Sequence, residues 1–288
     1  MEVKRRRLVR PPAPGSELEV LGTRLHYVQQ GESAPRFLLL HGYLSHTGAW
    51  RHSMLVLGEQ GGAVAMDLPG HGYSSMDADI PASPAEMARL LPSLLDRLEV
   101  ERVVLIGHSL GGAVALFAAH QVPERVAGLV LVSPFVYPQP APPGLRMAAR
   151  WPSLFRRLFA SPPGRAGVGY LLQRASSVPP GEDPRTRAVT LLAHLDAPGG
   201  WRSAQRTGVA ALTEIPDSAL VAGVRQPCLV FWGLADAVRA VEMGRQLCDE
   251  LGGESELVEV EGAGHNMHEE QHALFSERVL TWAEARGL

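Results

Sequence analysis

Ser109 is the residue whose surroundings most clearly predict chemistry. The apolar run Val103-Val104-Leu105-Ile106 predicts a buried strand, and residues 112–119 predict a helix. Between them, Gly107-His108-Ser109-Leu110-Gly111 predicts a sharp strand-to-helix turn that presents the serine hydroxyl above the sheet edge. Side chains at positions 107 and 111 would crowd this crossing. We therefore expect Ser109 to be a nucleophile.

A serine hydroxyl is too weak an acid to attack a carbonyl carbon at neutral pH unless a base takes its proton. His265, just after a predicted strand at residues 256–260, is the candidate base. Asp236, just after a predicted strand at residues 228–232, is the candidate acid that orients it. Because the carboxyl ends of parallel strands meet at one edge of a sheet, we expect Ser109, Asp236 and His265 to converge.

The sheet that must hold these residues is visible as short apolar strands alternating with helical stretches. This alternation predicts an α/β protein with a mainly parallel sheet flanked by helices. Residues 18–21 and 24–29, joined around Gly22-Thr23, predict an antiparallel hairpin at the start. Ser83, with Glu86 three residues on, predicts a capped helix that runs to about Leu98.

The chain divides by composition into a sheet-forming core and a helical insertion. Residues 134–225 are rich in proline and arginine and show no strand alternation, so we expect a helical cap, with helices near 145–159 and 186–195. The core then comprises residues 16–133 and 226–288, and residues 1–15 are expected to form a flexible tail.

Bulk properties limit the class of protein. The 288 residues carry a formal net charge of −3, which does not suggest a nucleic-acid partner. The basic cluster at residues 4–7 is followed by prolines rather than by the apolar run of a signal peptide, and no stretch predicts stable membrane insertion. Two cysteines without a disulfide framework fit a reducing compartment. We expect a cytoplasmic protein and leave its oligomeric state open.

Five motifs, in this order, resemble those of the α/β-hydrolase fold superfamily, and specifically a carboxylesterase-like serine hydrolase with a helical cap. They are His41-Gly42-Tyr43, Asp67-Leu68-Pro69-Gly70-His71-Gly72, the turn at Ser109, Trp232-Gly233-Leu234-Ala235-Asp236, and Gly264-His265. The resemblance implies a mostly parallel eight-stranded sheet with the cap inserted after strand 6. A proline often follows the acid in this family, whereas Arg239-Ala240 stands here.

The resemblance also assigns roles. Ser109, His265 and Asp236 would be nucleophile, base and orienting acid, and the backbone N–H groups of Tyr43 and Leu110 would form the oxyanion hole. Asp67 would hold the turn that follows it. Candidate substrate-pocket residues are His41, Tyr43, His108, Phe135, Tyr137, Trp151 and Val238. A structural hydrogen-bonding role is equally open for His41. No spacing typical of metal ligands occurs, so we expect neither a metal nor a cofactor.

A serine nucleophile favours acyl transfer to water. Relatives that hydrolyse haloalkanes or epoxides carry an aspartate at this turn. We therefore expect a serine hydrolase that cleaves a small-molecule carboxylic ester through an acyl-enzyme. A carbon–carbon bond hydrolase of vinylogous diketones is the first alternative, and an amidase, thioesterase or perhydrolase is also compatible. A non-catalytic ligand-binding protein on the same scaffold is the remaining alternative.

Overall fold

A single eight-stranded sheet forms the centre of the molecule. The computed structural model describes residues 15–33, 36–138, 140, 143–175 and 183–288, so nearly all of the predicted tail at residues 1–15 lies outside the described residues. The strands are β1 (Ser16–Val20), β2 (Thr23–Gln30), β3 (Phe37–Leu40), β4 (Ala63–Met66), β5 (Val103–His108), β6 (Val126–Val132), β7 (Cys228–Gly233) and β8 (Ser255–Val260).

The strands lie in the order β1-β2-β4-β3-β5-β6-β7-β8. From β4 to β8 all neighbours pair in parallel, while β2 pairs antiparallel with both β1 and β4. The predicted mainly parallel sheet and its opening hairpin are confirmed. In the hairpin turn, Leu21 and Gly22 have φ of 49° and 76°, as a tight two-residue connection requires.

The central strands are buried on both faces because helices cover both sides of the sheet. Leu38, Leu40 and Leu105 belong to the apolar core on one face, and Leu39 and Ile106 belong to the core on the other. All five are at most 2% exposed. This two-sided burial explains why β3 and β5 read as continuous apolar runs rather than as alternating patterns.

Along the described part of the chain, seven α-helices of the core connect the strands of the sheet or follow the last one. They are α1 (Arg51–Glu59), α2 (Pro84–Ala88), α3 (Leu91–Arg97), α4 (Leu110–Gln121), α11 (Glu242–Glu250), α12 (Met267–Glu270) and α13 (His272–Glu284). The predicted capping box is present, since the Ser83 side chain accepts from the Glu86 N–H and the Glu86 carboxylate accepts from the Ser83 N–H. The helix that it starts does not continue to Leu98. It ends at Ala88, and α3 begins again with Pro92 in its first turn, where a missing N–H is tolerated.

Residues 134–225 are helical wherever the structure describes regular elements in them. The helices are α5 (Pro143–Arg150), α6 (Pro152–Phe159), α7 (Pro162–Ala175), α8 (Pro184–Leu195), α9 (Gly200–Thr213) and α10 (Ser218–Gly223). Helices are thus confirmed near both predicted positions, and α7, α9 and α10 are additional ones. No helix in the described ranges combines the length and apolar composition needed to cross a bilayer.

Candidate active site

Ser109 lies in a strained turn between β5 and α4. Its φ is 50° and its ψ is −111°, a combination that residues with a side chain rarely adopt. Backbone hydrogen bonds hold the turn: the Ser109 N–H donates to the Val132 carbonyl oxygen over 3.0 Å, and its carbonyl oxygen accepts from the N–H groups of Ala113 and Phe135. The predicted strand-to-helix turn is confirmed. Its strain lies at the residue whose hydroxyl would react.

The glycines around Ser109 permit this crossing. A Cβ at position 107 would lie 2.5 Å from the Gly111 carbonyl oxygen, and a Cβ at position 111 would collide with the Leu40 carbonyl oxygen. A Cβ at Gly112 would lie 2.6 Å from Cβ of Pro134. The strand, the turn and the following helix therefore approach each other more closely than side chains at these positions allow, as the sequence predicts for positions 107 and 111.

His265 and Asp236 form a hydrogen-bonded pair in the loops after β8 and β7. Nδ1 of His265 lies 2.8 Å from Oδ2 of Asp236. An ionised carboxylate can only accept, so Nδ1 carries the proton and Nε2 keeps a lone pair that can take one. The Asp236 side chain is 1% exposed and the His265 side chain is 13% exposed. The acid is thus enclosed, whereas the ring of the base reaches solvent.

The second carboxylate oxygen of Asp236 is also bonded. Oδ1 accepts from the backbone N–H groups of Val238 and Arg239 over 2.8 and 2.9 Å. Burial alone would raise the pKa of Asp236, but the hydrogen bond and charge of His265, together with these two N–H groups, lower the pKa below its ordinary value. The carboxylate is therefore ionised at neutral pH, as an orienting acid must be.

A cavity of about 190 Å³ lies beside Ser109. Its lining combines residues of the core with residues of the cap helix α9, and comprises Tyr43, Ser109, Leu110, Phe135, Pro140, Gly208, Ala211, Leu212, Val238 and Arg239. Both residues assigned to the oxyanion hole and the nucleophile therefore border one space. Among the described residues, no hydrogen bond joins the Ser109 hydroxyl to His265. Such bonds are often long in an enzyme without substrate.

The candidate pocket residues separate into two groups. Tyr43, Phe135 and Val238 line the cavity with Ser109. The other four residues do not line this cavity, and they are His41, His108, Tyr137 and Trp151.

His41 is buried and structural. Its Nδ1 donates to the Gly42 carbonyl oxygen over 2.7 Å, and its Nε2 accepts from the Leu68 N–H over 3.0 Å. Tyr137 does not line the cavity, and its hydroxyl donates to Oε2 of Glu250 over 2.8 Å. Neither side chain lines the cavity that Ser109 borders, so a pocket role for these two stays a prediction.

His108 and Trp151 also lie away from this cavity. His108 is 5% exposed and packs against the loop that carries His265, with Nε2 3.0 Å from the His265 carbonyl oxygen. Trp151 precedes α6 on the outer surface of the cap and is 54% exposed, with the Arg150 guanidinium 5.6 Å above its ring. Neither side chain borders the cavity that Ser109 lines.

Tyr43 connects the core to the cap. Its hydroxyl donates to the Ala204 carbonyl oxygen of α9 over 2.7 Å, and burial raises the pKa of the phenol above its ordinary range. The hydroxyl is thus committed to the cap helix, which leaves the backbone N–H as the part of Tyr43 suited to an oxyanion.

Asp67 is a structural residue, as expected. Its Oδ1 accepts from the Thr47 N–H over 2.6 Å, and its Oδ2 accepts from the Tyr73 N–H and from Nδ1 of His26. These bonds join β2, the loop after β3 and the loop after β4 around one fully buried carboxylate. No three His, Cys, Asp or Glu side chains in the described part of the chain are arranged to hold a metal ion.

Two sets of cavity residues were missed by sequence reasoning. Gly208, Ala211 and Leu212 of α9 carry no chemical signature, and only the packing of that helix over the sheet brings them to the cavity. Arg239 did have a signal in the sequence. Arg239-Ala240 stand where a proline often follows the acid in this family, so this position departs from the family pattern.

The model of the alpha/beta hydrolase family matches residues 37–278. The chain belongs to this family. Over 116 residues this alpha/beta hydrolase is 35% identical to the dihydrolipoyllysine-residue acetyltransferase component of the acetoin cleaving system of Cupriavidus necator, covering 40% of this chain and 31% of that protein. Over 129 residues it is 37% identical to epoxide hydrolase 3 of Siraitia grosvenorii, covering 42% of this chain and 39% of that protein.

Among solved structures, the alpha/beta hydrolase is similar to a malate-bound thermophilic esterase from Thermogutta terrifontis. The TM-score is 0.78 at 24% identity, covering 95% of this chain and 99% of the other. This likeness shows the fold. The chain spans about a third of the length of the curated relatives that it first matches.

Proposed function

We propose that this alpha/beta hydrolase cleaves carboxylic esters through an acyl-enzyme intermediate. Three features at one sheet edge carry the proposal. They are a serine in a strained turn, a cavity beside that serine, and a buried aspartate that is hydrogen-bonded to a histidine. Each feature supplies one requirement of nucleophilic catalysis by a weakly acidic hydroxyl.

In the first half-reaction, Ser109 Oγ attacks the ester carbonyl carbon while Nε2 of His265 takes the hydroxyl proton. The lone pair on Nε2 is available because Nδ1–H is committed to Asp236. The negative charge of Asp236 then stabilises the protonated ring. When the tetrahedral intermediate collapses, the bond to the alcohol oxygen breaks and His265 returns the proton to that oxygen.

The oxyanion of the tetrahedral intermediate needs donors that are already in place. The backbone N–H groups of Leu110, the first residue of α4, and of Tyr43 are the proposed donors, and both residues line the cavity with Ser109. Losing one such donor typically costs about 3 kcal/mol of transition-state stabilisation. In the second half-reaction, water attacks the acyl-serine, His265 removes its proton, and Ser109 leaves with that proton.

Ser109 disfavours the reaction named for the epoxide hydrolase relative. Attack of a serine oxygen on an epoxide carbon would form an ether, which water does not cleave under these conditions, so the enzyme would not turn over. Attack on an ester carbonyl forms a new ester at Ser109, which water hydrolyses. The nucleophile in this chain therefore favours acyl transfer.

The experiment is hydrolysis of 4-nitrophenyl butyrate by the wild-type chain and by Ser109→Ala. We expect a burst of 4-nitrophenol, a butyryl adduct on the Ser109 peptide by mass spectrometry, and loss of at least about four powers of ten in kcat in the variant. Ser153→Ala, on the exposed surface of α6, is the matched control and should keep full activity. Equal turnover by Ser109→Ala would refute the proposal.

Hydrolysis assays with other substrates separate the alternative functions. Hydrolysis of a vinylogous diketone, with no ester or thioester cleaved, would replace ester hydrolysis by carbon–carbon bond hydrolysis. Failure to hydrolyse any of these substrates, with the protein folded by circular dichroism, would favour a ligand-binding role.

A further inference from the structure

Arg239 brings a cation to the wall of the cavity that Ser109 lines. It follows Asp236 by three residues and is 5% exposed. Of the described residues that line this cavity, Arg239 is the only one with a charged side chain, and most of the others are apolar. A largely apolar wall with one charged group is the arrangement by which a binding site orients a ligand that carries the opposite charge.

The contacts of the guanidinium fix its position without neutralising it. Nη1 donates to the Val136 carbonyl oxygen over 3.2 Å and lies 3.9 Å from the sulfur of Met243. Cζ lies 4.1 Å from the ring centroid of Phe135, which also lines the cavity. All three partners are uncharged, so the guanidinium keeps its charge beside the substrate space.

Asp236 does not form an ion pair with this guanidinium. Its Oδ1 accepts from the backbone N–H of Arg239, and its Oδ2 accepts from His265. Within the described residues, no carboxylate lies within ion-pair distance of the Arg239 side chain. Burial lowers the pKa of Arg239, whereas the charge of Asp236 acts to raise it. An arginine nonetheless remains protonated at neutral pH, and a buried cation without a carboxylate partner is costly.

We infer that Arg239 selects esters that carry a carboxylate group, which it binds while Ser109 attacks the ester bond. The inference rests on the proposed ester hydrolysis and names the substrate class of that site. A guanidinium is planar and can donate two parallel N–H bonds to one carboxylate. The stack on Phe135 already orders this plane, so little conformational freedom is lost when the substrate binds.

A purely structural Arg239 makes a different prediction. Through Val136 it ties the segment after β6 to the loop after β7. If that were its whole role, replacing it would lower stability and would slow the hydrolysis of all esters alike. A residue that binds the substrate carboxylate instead affects esters that carry this group and spares matched neutral ones.

The experiment compares matched ester pairs. On the acyl side, the 4-nitrophenyl monoester of adipic acid is paired with 4-nitrophenyl 6-methylheptanoate, in which an isopropyl group replaces the carboxylate. On the alcohol side, 4-carboxyphenyl butyrate is paired with 4-carbamoylphenyl butyrate. We expect a preference for the anionic member of at least one pair of about 10- to 100-fold in kcat/KM, the range given by a hydrogen bond to a charged group.

Variants assign the preference to one side chain. Arg239→Met keeps length but removes charge and should abolish the preference, because KM rises for the anionic ester by more than it does for the neutral one. Arg239→Lys should retain part of the preference. Arg202→Met, on the exposed surface of α9, is the control and should leave it unchanged. A wild-type enzyme without preference, or a preference that survives in Arg239→Met, would overturn the inference.

A binding measurement keeps the two proposals separate. Calorimetric titration of Ser109→Ala with adipate should give saturable binding that Arg239→Met removes in the double variant, and adipamide should not bind. This readout does not need turnover. Hydrolysis of neutral esters with neither adipate binding nor a preference for an anionic ester would overturn the role of Arg239 alone, whereas adipate binding without ester hydrolysis would overturn only the proposed reaction.

Discussion

Nε2 of His108, the residue before the nucleophile, lies 3.0 Å from the backbone carbonyl oxygen of His265. A carbonyl oxygen can only accept, so Nε2 of His108 carries a proton and donates it. The His108 ring also packs against the His265 ring at 4.8 Å and against the His268 ring at 4.4 Å. The turn at Ser109 is thereby tied to the loop that carries His265.

This bond predicts that His108 positions the base without touching substrate. His108→Leu removes the donor, and we expect kcat for 4-nitrophenyl butyrate to fall by about tenfold, the cost of roughly 1.4 kcal/mol, with KM little changed. His108→Gln retains an N–H donor and should recover most of the loss. Steady-state kinetics of both variants check this. Equal activity of His108→Leu and the wild type would show that the bond does not position His265.

Asp236→Asn tests the assignment of the acid. An amide in place of the carboxylate can donate to Nδ1 of His265, which favours the tautomer with the proton on Nε2. A protonated Nε2 has no lone pair to take the hydroxyl proton of Ser109. We expect kcat to fall by about four powers of ten while the far-ultraviolet circular dichroism stays that of the wild type. Asp249→Asn, at an exposed position of α11, is the matched control. A nearly active Asp236→Asn would mean that another acid orients the base.

The elements that the sequence predicts best are those buried on both sides. Residues 103–106 of β5 and 228–232 of β7 are continuous apolar runs because both faces are covered, and the candidate residues follow the ends of these strands. The order of motifs along the chain then assigns nucleophile, acid and base. The Asp236–His265 hydrogen bond agrees with that assignment.

Side-chain direction in loops could not be predicted in this way. His108 stands next to the nucleophile, and its position along the chain does not say whether its ring faces the substrate or the His265 loop. The hydroxyl of Tyr137 bonds Glu250, a residue more than a hundred positions away, and only the folded chain brings the two together. The cavity wall from α9 depends on how the cap packs on the sheet, which is a long-range property. Arg239 was visible as a departure from a pattern, but its direction was not.

Gly111→Ala tests the close crossing at the nucleophile turn. A methyl group there collides with the Leu40 carbonyl oxygen, which belongs to β3 and cannot move freely. We expect the free energy of unfolding to fall by about 1–3 kcal/mol or more, measured by urea denaturation. Gly167→Ala in α7 is the control, because nothing lies within 4 Å of the added Cβ. Alanine stabilises a helix by about 1 kcal/mol relative to glycine, so this variant should not lower the free energy of unfolding. Equal stability of Gly111→Ala and the wild type would contradict the steric account.

Buried neutral histidines predict loss of stability in acid. His41 is fully buried, and burial, with a smaller effect of the nearby His71, lowers its pKa to about 3. An unfolded histidine has a pKa of about 6.5, so between these values the unfolded chain binds a proton that the folded chain does not. The free energy of unfolding must therefore fall as the pH falls through this window, by about 1.4 kcal/mol per pH unit for one such histidine. Burial also lowers the pKa of His71, which adds in the same direction.

Urea denaturation at pH values from 7 to 4.5 measures this slope. His41→Gln should reduce the slope by about one proton, because glutamine does not titrate and therefore gives no difference in proton uptake between the folded and unfolded chains. Gln121→Ala, at an exposed position on α4, replaces no titrating group and is the control, which should leave the slope as in the wild type. If His41→Gln kept the full slope, the proton difference would belong to other groups. In that case burial, together with the Leu68 N–H that donates to Nε2, would not hold His41 neutral.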